Sequence, residues 1–270
     1  MDGLGLCPIY EVGEIDGTPY FVMPFLTGES LSEQLRRSPG RRPKSEVLWF
    51  VALFEKVSHA LHRAHEAGLV HRDIKPANIM IRPNGEPVVL DFGLVQDQQY
   101  ADQRLTQSGQ LPGTPSYMAP EQIAGLRADR RTDVYALGIA LYECACGNVP
   151  FAGESRLELF EQIRNRPLPQ PRRRNRAIPR ALAAVLEVAT HKDPDHRYLT
   201  AQAFAEDLLR VRLQQPVQAR RMPAWLRIRQ WCTRNRLAST AIASLAVGLV
   251  ATGLLEYERA TLNESIRGEI

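Results

Sequence analysis

Between the apolar pairs Leu69-Val70 and Ile79-Met80 the chain places His71-Arg72-Asp73, then a lysine at 75 and an asparagine at 78. Few stretches constrain a fold more. Charge flanked at once by two buried segments has to sit on a loop at the edge of a core, where water or a ligand can reach it. The neighbouring residues say what that core is. Val47, Phe50, Val51, Phe54, Val57, Leu61 and Ala64 recur at helical spacing, so a buried helix is expected, capped by Ser45, running to Glu66 and ended by Gly68. After the cluster, "IMI" (79–81) and "PVVL" (87–90) are short strand candidates around the turn "PNGE", and Asp91-Phe92-Gly93 follows directly.

An aspartate, a cation two residues on and an amide three beyond that suit phosphoryl transfer. That reaction asks little covalent work of a protein. It needs phosphate charge neutralised, an attacking hydroxyl oriented, and a cation near the transferring group. Asp73 is the candidate to accept the hydroxyl proton and Lys75 to sit near the γ-phosphate. Asn78 and Asp91 offer hard oxygens to Mg²⁺, and Gly93 leaves the turn free to aim Asp91.

The rest of the chain reads as strands first and helices after, an α+β arrangement. "PIYEVGEI" and "TPYFVMPF" around Asp16-Gly17 form a β-hairpin, which "TGES" at 27–30 breaks. Helices are expected over 31–37, 133–146 (ended by Gly147), 155–164, 180–190 and 201–213. Residues 94–118 lack periodicity and form a long polar loop, of the kind that is usually functional. "RPLPQPRRRNRAIP" is a basic, proline-rich loop.

Taken in order, His71 to Asn78 ("HRDIKPAN"), "DFG" at 91–93, "APE" at 119–121, "DVYALG" from Asp133, "GNVPF" at 147–151 and Arg197 in "HKDPDHRY" resemble the eukaryotic-type (Hanks-type) serine/threonine protein kinases of bacteria. The resemblance covers about residues 7–212. It implies a protein-kinase-like α+β fold with a mostly helical large lobe, ATP and Mg²⁺ as cofactors, and protein substrates. "DIKPAN" and "GTPSYMAPE" are similar to the serine/threonine branch. By the same resemblance Thr114 would bond the Asp73–Lys75 pair, Arg72 would meet a phosphorylated residue of the long loop, with Thr106 and Ser108 as phosphosites, and Glu121 would pair with Arg197 as a structural ion pair. Asp133 would sit on the central helix. Met23 would be the gatekeeper, the Pro24 carbonyl and Leu26 N–H would face adenine, and Met80 would lie under the base. Pro24 departs from a frequent glutamate but keeps its carbonyl.

A glycine-rich loop and a phosphate-gripping lysine, which such kinases carry ahead of this hairpin, are not found: no lysine precedes Lys44 and "MDGLGLCPIY" is not G-x-G-x-x-G. Residues 1–26 are therefore expected to be a partial small lobe ending in the hinge, and 27–212 the large lobe. The chain as written is expected to be a fragment or to carry a misplaced start, and to bind ATP weakly or not at all. A non-catalytic kinase-like scaffold is the alternative.

The C-terminal quarter has a different character. "LASTAIASLAVGLVATGLL" (237–255) is uncharged and as a helix spans roughly 28 Å, close to the hydrocarbon thickness of a bilayer. No acid lies between Arg210 and Arg236, whereas "EYERATLNESIRGEI" follows the run. That asymmetry predicts a single-pass transmembrane helix of the inner membrane with the kinase lobes cytoplasmic, a basic juxtamembrane linker (213–236) meeting anionic lipid, and an extracytoplasmic stub (256–270). Thr240, Ser244, Gly248 and Thr252 recur every four residues, a stripe that suits a homodimer or merely fills the span. The arginines of 172–180 read as a solvated loop, and no nucleic-acid partner is expected. Cys7, Cys144, Cys146 and Cys232 are too scattered for a disulfide framework, and Cys144-x-Cys146 reads as a pair of core thiols rather than a metal site.

Overall fold

A computed structural model describes residues 5–91 and 115–219, except Gly17, Pro39 and Arg41. All of them belong to one contact unit, Met1–Arg220. Strands β1 (Glu11–Ile15) and β2 (Thr18–Val22) form the expected antiparallel hairpin, with Val12 opposite Phe21. Its apolar side chains are left largely uncovered: Tyr10, Val12 and Ile15 are exposed, and Phe25 is 94% exposed.

The "TGES" segment does more than break that hairpin. Glu29–Ser30 is a two-residue strand, β3, that pairs with β4 (Ile79–Ile81), which in turn pairs with β5 (Pro87–Val89). Gly5–Cys7 runs beside β5, with Cys7 N–H donating to Val89 C=O at 2.8 Å and Val89 N–H to Gly5 C=O at 2.9 Å. Ser30 then caps α1 (Leu31–Arg37) by accepting from the Glu33 N–H, while the Glu33 carboxylate accepts from the Ser30 N–H. This reciprocal pair satisfies two otherwise orphaned donors.

Helix α2 spans Lys44–Glu66 and buries the face the sequence predicts, from Val47 to Ala64. Ser45 does not cap it. The N-cap is Pro43, whose carbonyl takes the Val47 N–H, so Ser45 lies inside the first turn. After α3 (Pro120–Ile123), helix α4 (Arg130–Cys146) is buried on nearly every side and forms the axis of the helical lobe. Around it lie α5 (Arg156–Asn165), α7 (Arg180–Ala189) and α8 (Ala201–Arg212). The stretch expected to be entirely loop contains one helical turn, α6 (Pro171–Arg174), started by a proline at its first position, where the missing N–H costs nothing. Cys144 and Cys146 are free and buried in this core, and burial pushes the Cys146 thiol up to about 12.

Two glycines of α4 and its C-terminal end are required by their surroundings. At Gly138 a Cβ would come within 2.7 Å of Thr190 Cγ2 and 3.0 Å of Ala189 Cβ, so the glycine lets α7 approach. Gly147 ends the helix at φ 82, and a Cβ there would meet Gly40 C=O at 2.7 Å. Gly147→Ala is therefore expected to cost about 1–3 kcal/mol, combining left-handed strain with the clash. The midpoint of urea unfolding measures it, and an unchanged midpoint would contradict the assignment.

The C-terminal end of the unit is tied down by one side chain. The fully buried Asp207 carboxylate accepts from the Tyr198 hydroxyl (2.8 Å), Arg210 Nη1 (2.8 Å) and the backbone N–H groups of Gln218 (2.8 Å) and Ala219 (2.7 Å). Among the described residues no helix is long and apolar enough to cross a membrane. The run 237–255, with its small-residue stripe, lies outside the described residues.

Candidate active site

The 71–78 loop is held in shape from below. Asp133, in the first turn of α4, has no exposed surface and accepts three hydrogen bonds: from His71 N–H (2.8 Å), Arg72 N–H (2.8 Å) and His65 Nε2 on α2 (2.7 Å). It thus joins the two central helices to the backbone of the loop. Arg72 takes a left-handed conformation, φ 67, which a non-glycine residue adopts only where its surroundings hold it. Its carbonyl accepts from Gln122 Nε2 at 2.9 Å, and Gln122 Oε1 accepts from the Ala119 N–H at 2.9 Å. The start of α3 is therefore stapled to the loop.

Within the loop, Lys75 Nζ donates to Asp73 Oδ2 at 2.6 Å. Asn78 Nδ2 donates to the same oxygen at 3.1 Å and to the Asp73 carbonyl at 2.8 Å. Among the described residues, Asp73 Oδ1 and Asn78 Oδ1 accept no hydrogen bond. The Asp73 side chain is 63% exposed and that of Lys75 21%, whereas Asn78 is buried. The amide is thus anchored by its NH₂, and none of the described residues donates to its oxygen. Leu90 is gripped from both sides: its N–H donates to Asn78 C=O (2.9 Å) and its C=O accepts from His71 Nε2 (2.7 Å). That grip sets where Asp91 begins, at φ 58 and exposed. An aspartate and an asparagine oxygen fit Mg²⁺, which commonly takes one or two protein oxygens and completes its shell with phosphate and water.

Glu121 and Arg197 form the expected ion pair, and it is buried, with the side chains 7% and 0% exposed. The guanidinium is bidentate: Nη1 to Oε1 and Nη2 to Oε2, both 2.7 Å. Its remaining donors reach the carbonyls of His191, Arg131 and Lys192, and Thr132 Oγ1 donates to Glu121 Oε1 at 2.8 Å. Burial disfavours the charged carboxylate, but the Arg197 bonds outweigh it and hold Glu121 below its usual range. A carboxyl depressed on folding contributes stability that is present above its unfolded value and lost as pH falls through the folded one. The unfolding midpoint is expected to fall from about pH 4.5 downward. Glu121→Gln should unfold more easily at pH 7 and show a flatter acid arm. Parallel acid arms in the two proteins would remove Glu121 from this role.

Met23, Pro24 and Leu26 lie half-buried on the connection from the hairpin to β3, and Met80 half-buried on β4. Thr106, Ser108, Thr114, Phe92 and Gly93 lie outside the described residues, so the expected Thr114 bond and the reach of a phosphosite to Arg72 do too. Sequence reasoning missed His65 and Gln122. His65 left only a faint signal, a polar position on the apolar face of α2. Gln122, three residues past Ala119, has the spacing of a side chain that returns to a helix's first N–H.

The protein kinase domain profile matches residues 5–209. The DNA damage-responsive serine/threonine-protein kinase RqkA of Deinococcus radiodurans is 40% identical over 205 residues, 74% of this chain and 30% of that protein. The serine/threonine-protein kinase PknB of Mycobacterium leprae is 37% identical over 217 residues, 78% of this chain and 34% of that one. The chain thus spans about a third of the length of these relatives. Among solved structures, a point mutant of the kinase domain of Mycobacterium tuberculosis PknI aligns with TM-score 0.58 at 27% identity, covering 76% of this chain and 70% of that one. Rad53 residues 1–466 in complex with AMP-PNP aligns at 0.61 and 23% identity, covering 79% and 52%, a likeness of fold alone.

Proposed function

Since this chain belongs to the protein kinase family, as a domain of the bacterial serine/threonine type, we propose that it transfers the γ-phosphoryl group of ATP to serine or threonine hydroxyls of protein substrates. One observation carries the reading: Lys75 and Asn78 converge on a single carboxylate oxygen of Asp73, and none of the described residues donates to its Oδ1. The free oxygen accepts the proton of the attacking hydroxyl. Lys75, held against Oδ2, brings its positive charge to the transferring group. Asn78 and Asp91 would hold magnesium, which when bound would neutralise phosphate charge. Met23, Pro24, Leu26 and Met80 receive the adenine, and phosphorylation at Thr106 or Ser108 orders the long loop through Arg72. The lobe is tethered to the inner membrane by residues 237–255, on its cytoplasmic side, and the small-residue stripe of that span favours a homodimer.

The test is a chimera in which a glycine-rich loop and lysine from a relative such as RqkA are fused ahead of Cys7. Incubated with Mg-ATP and a protein mixture, it is expected to yield phosphoserine and phosphothreonine, read by mass spectrometry, whereas the chain without the fusion yields neither. Phosphotyrosine alone, or no transfer by a folded chimera, would overturn the proposal. The second outcome would favour the scaffold reading.

A further inference from the structure

A surface of one sign on the described unit lies far along the chain from the catalytic loop. From Gln162 to Leu186 there are seven arginines and no acid. Arg166, Arg173, Arg174, Arg176 and Arg180 are exposed. Among the described residues none of these five forms an ion pair. Three exposed arginines elsewhere, Arg37, Arg130 and Arg212, each have a carboxylate partner.

The arginines are also held on a firm base. Arg172 turns inward and donates to the Ile178 carbonyl. Asn175, buried at 3% exposure, donates from Nδ2 to the carbonyls of Arg42 and Ala145, both at 2.9 Å. Its Oδ1 accepts from the Ala177 N–H at 3.0 Å. Arg173, Arg174 and Arg176 therefore project from a turn bolted to α4 and to the residues before α2. Arg166 and Arg174 also line a cavity of about 610 Å³, whose one acid, Glu143, is covered by the Tyr117 hydroxyl at 2.6 Å.

We propose that this arginine face docks the lobe onto an anionic lipid bilayer. The proposal rests on the reading of 237–255 as a membrane anchor. Asp207 fixes the chain at Gln218 and Ala219, and the linker 220–236 begins there. Fully extended, those residues reach roughly 55–60 Å, longer than a unit of this size is wide. Any face of the lobe can therefore turn to the bilayer, and charge decides which one does. Basic residues near an anionic surface are attracted within about a Debye length, and tethering raises the local lipid concentration, so contacts too weak to recruit a free protein suffice. In the docked state the lobe's orientation is set by Arg173, Arg174 and Arg176 rather than by the linker.

The experiment uses the full chain with vesicles of phosphatidylcholine and with vesicles also containing phosphatidylglycerol. Co-flotation with phosphatidylcholine reports the anchor. Amide exchange over residues 164–180 reports the face, whether or not the anchor inserts. Exchange there is expected to slow severalfold only with the anionic lipid. It should return to the phosphatidylcholine rate in Arg173→Glu/Arg174→Glu/Arg176→Glu, and in about 0.5 M salt, where the Debye length shrinks to about 4–5 Å. The three positions are exposed, and an unchanged unfolding midpoint shows that the variant folds. Equal exchange on both vesicles would overturn the proposal while leaving the anchor standing, as would protection that survives the charge reversal. Stronger protection by duplex DNA at equal phosphate concentration would overturn it too, and assign the face to nucleic acid instead. No flotation would sink the anchor alone, and the exchange comparison would still decide the face.

Discussion

Asp73→Asn, in the chimera described above, is expected to lower the rate of phosphoryl transfer by about 10²–10⁴, the usual worth of a positioned general base. The side chain is 63% exposed, so the loss should come without a change in unfolding midpoint. An asparagine can still meet Lys75 through its oxygen. It has no group to take the hydroxyl proton and no charge to hold the ammonium at 2.6 Å. Binding of nucleotide should be nearly unchanged, because the Asn78 and Asp91 oxygens are untouched. Single-turnover transfer measured beside nucleotide titration separates the two effects. A variant that turns over like the parent would show that Asp73 is not the base.

Asp133→Ala should be the most damaging single change to the described unit, at about 3–5 kcal/mol. It strips the acceptor from two backbone N–H groups and an imidazole around a fully buried side chain, and each buried donor left unpaired costs about 1–3 kcal/mol. The sum is not additive, since the loop can relax toward solvent and regain part of it. Asp133→Asn should fall between the two proteins: one oxygen remains, but the NH₂ now faces a donor. Urea unfolding gives the size of the effect. Amide exchange over residues 69–75 gives its location, because His71 and Arg72 should lose protection first. A loss below about 1 kcal/mol for the alanine variant would mean that Asp133 does not hold the loop.

The two substitutions mark different layers of the site. The residues proposed to touch the reaction, Asp73, Lys75 and Asn78 on one loop and Asp91 after β5, were legible as motifs, since that chemistry fixes their types and local spacing. The groups that aim them were partly hidden. Asp133 was placed on the central helix by resemblance, but its three donors come from residues 61 to 68 positions away, a distance that no local pattern encodes. His65 and Gln122 were not anticipated at all. Both are ordinary helix residues until the fold brings Asp133 and the Arg72 carbonyl within reach.

The same division holds for the fold. Periodicity by itself determined α2, α4, α5, α7 and α8 to within a few residues, because an amphipathic or wholly apolar helix repeats its demand for burial every turn. It also determined the β1–β2 hairpin, whose turn chemistry lies in sequence, and the core nature of Cys144 and Cys146. Tertiary structure alone decided β3, since two residues carry no alternation and Glu29–Ser30 becomes a strand only through its bonds to Met80 and Ile81. It decided that Pro43 rather than Ser45 ends the N-terminal side of α2, because the chain's approach sets which carbonyl meets the Val47 N–H. And it turned Pro171–Arg174 into a helical turn, where Asn175 binds two carbonyls from distant segments: a side chain satisfying far-off backbone can hold a short helix that its own propensity would not.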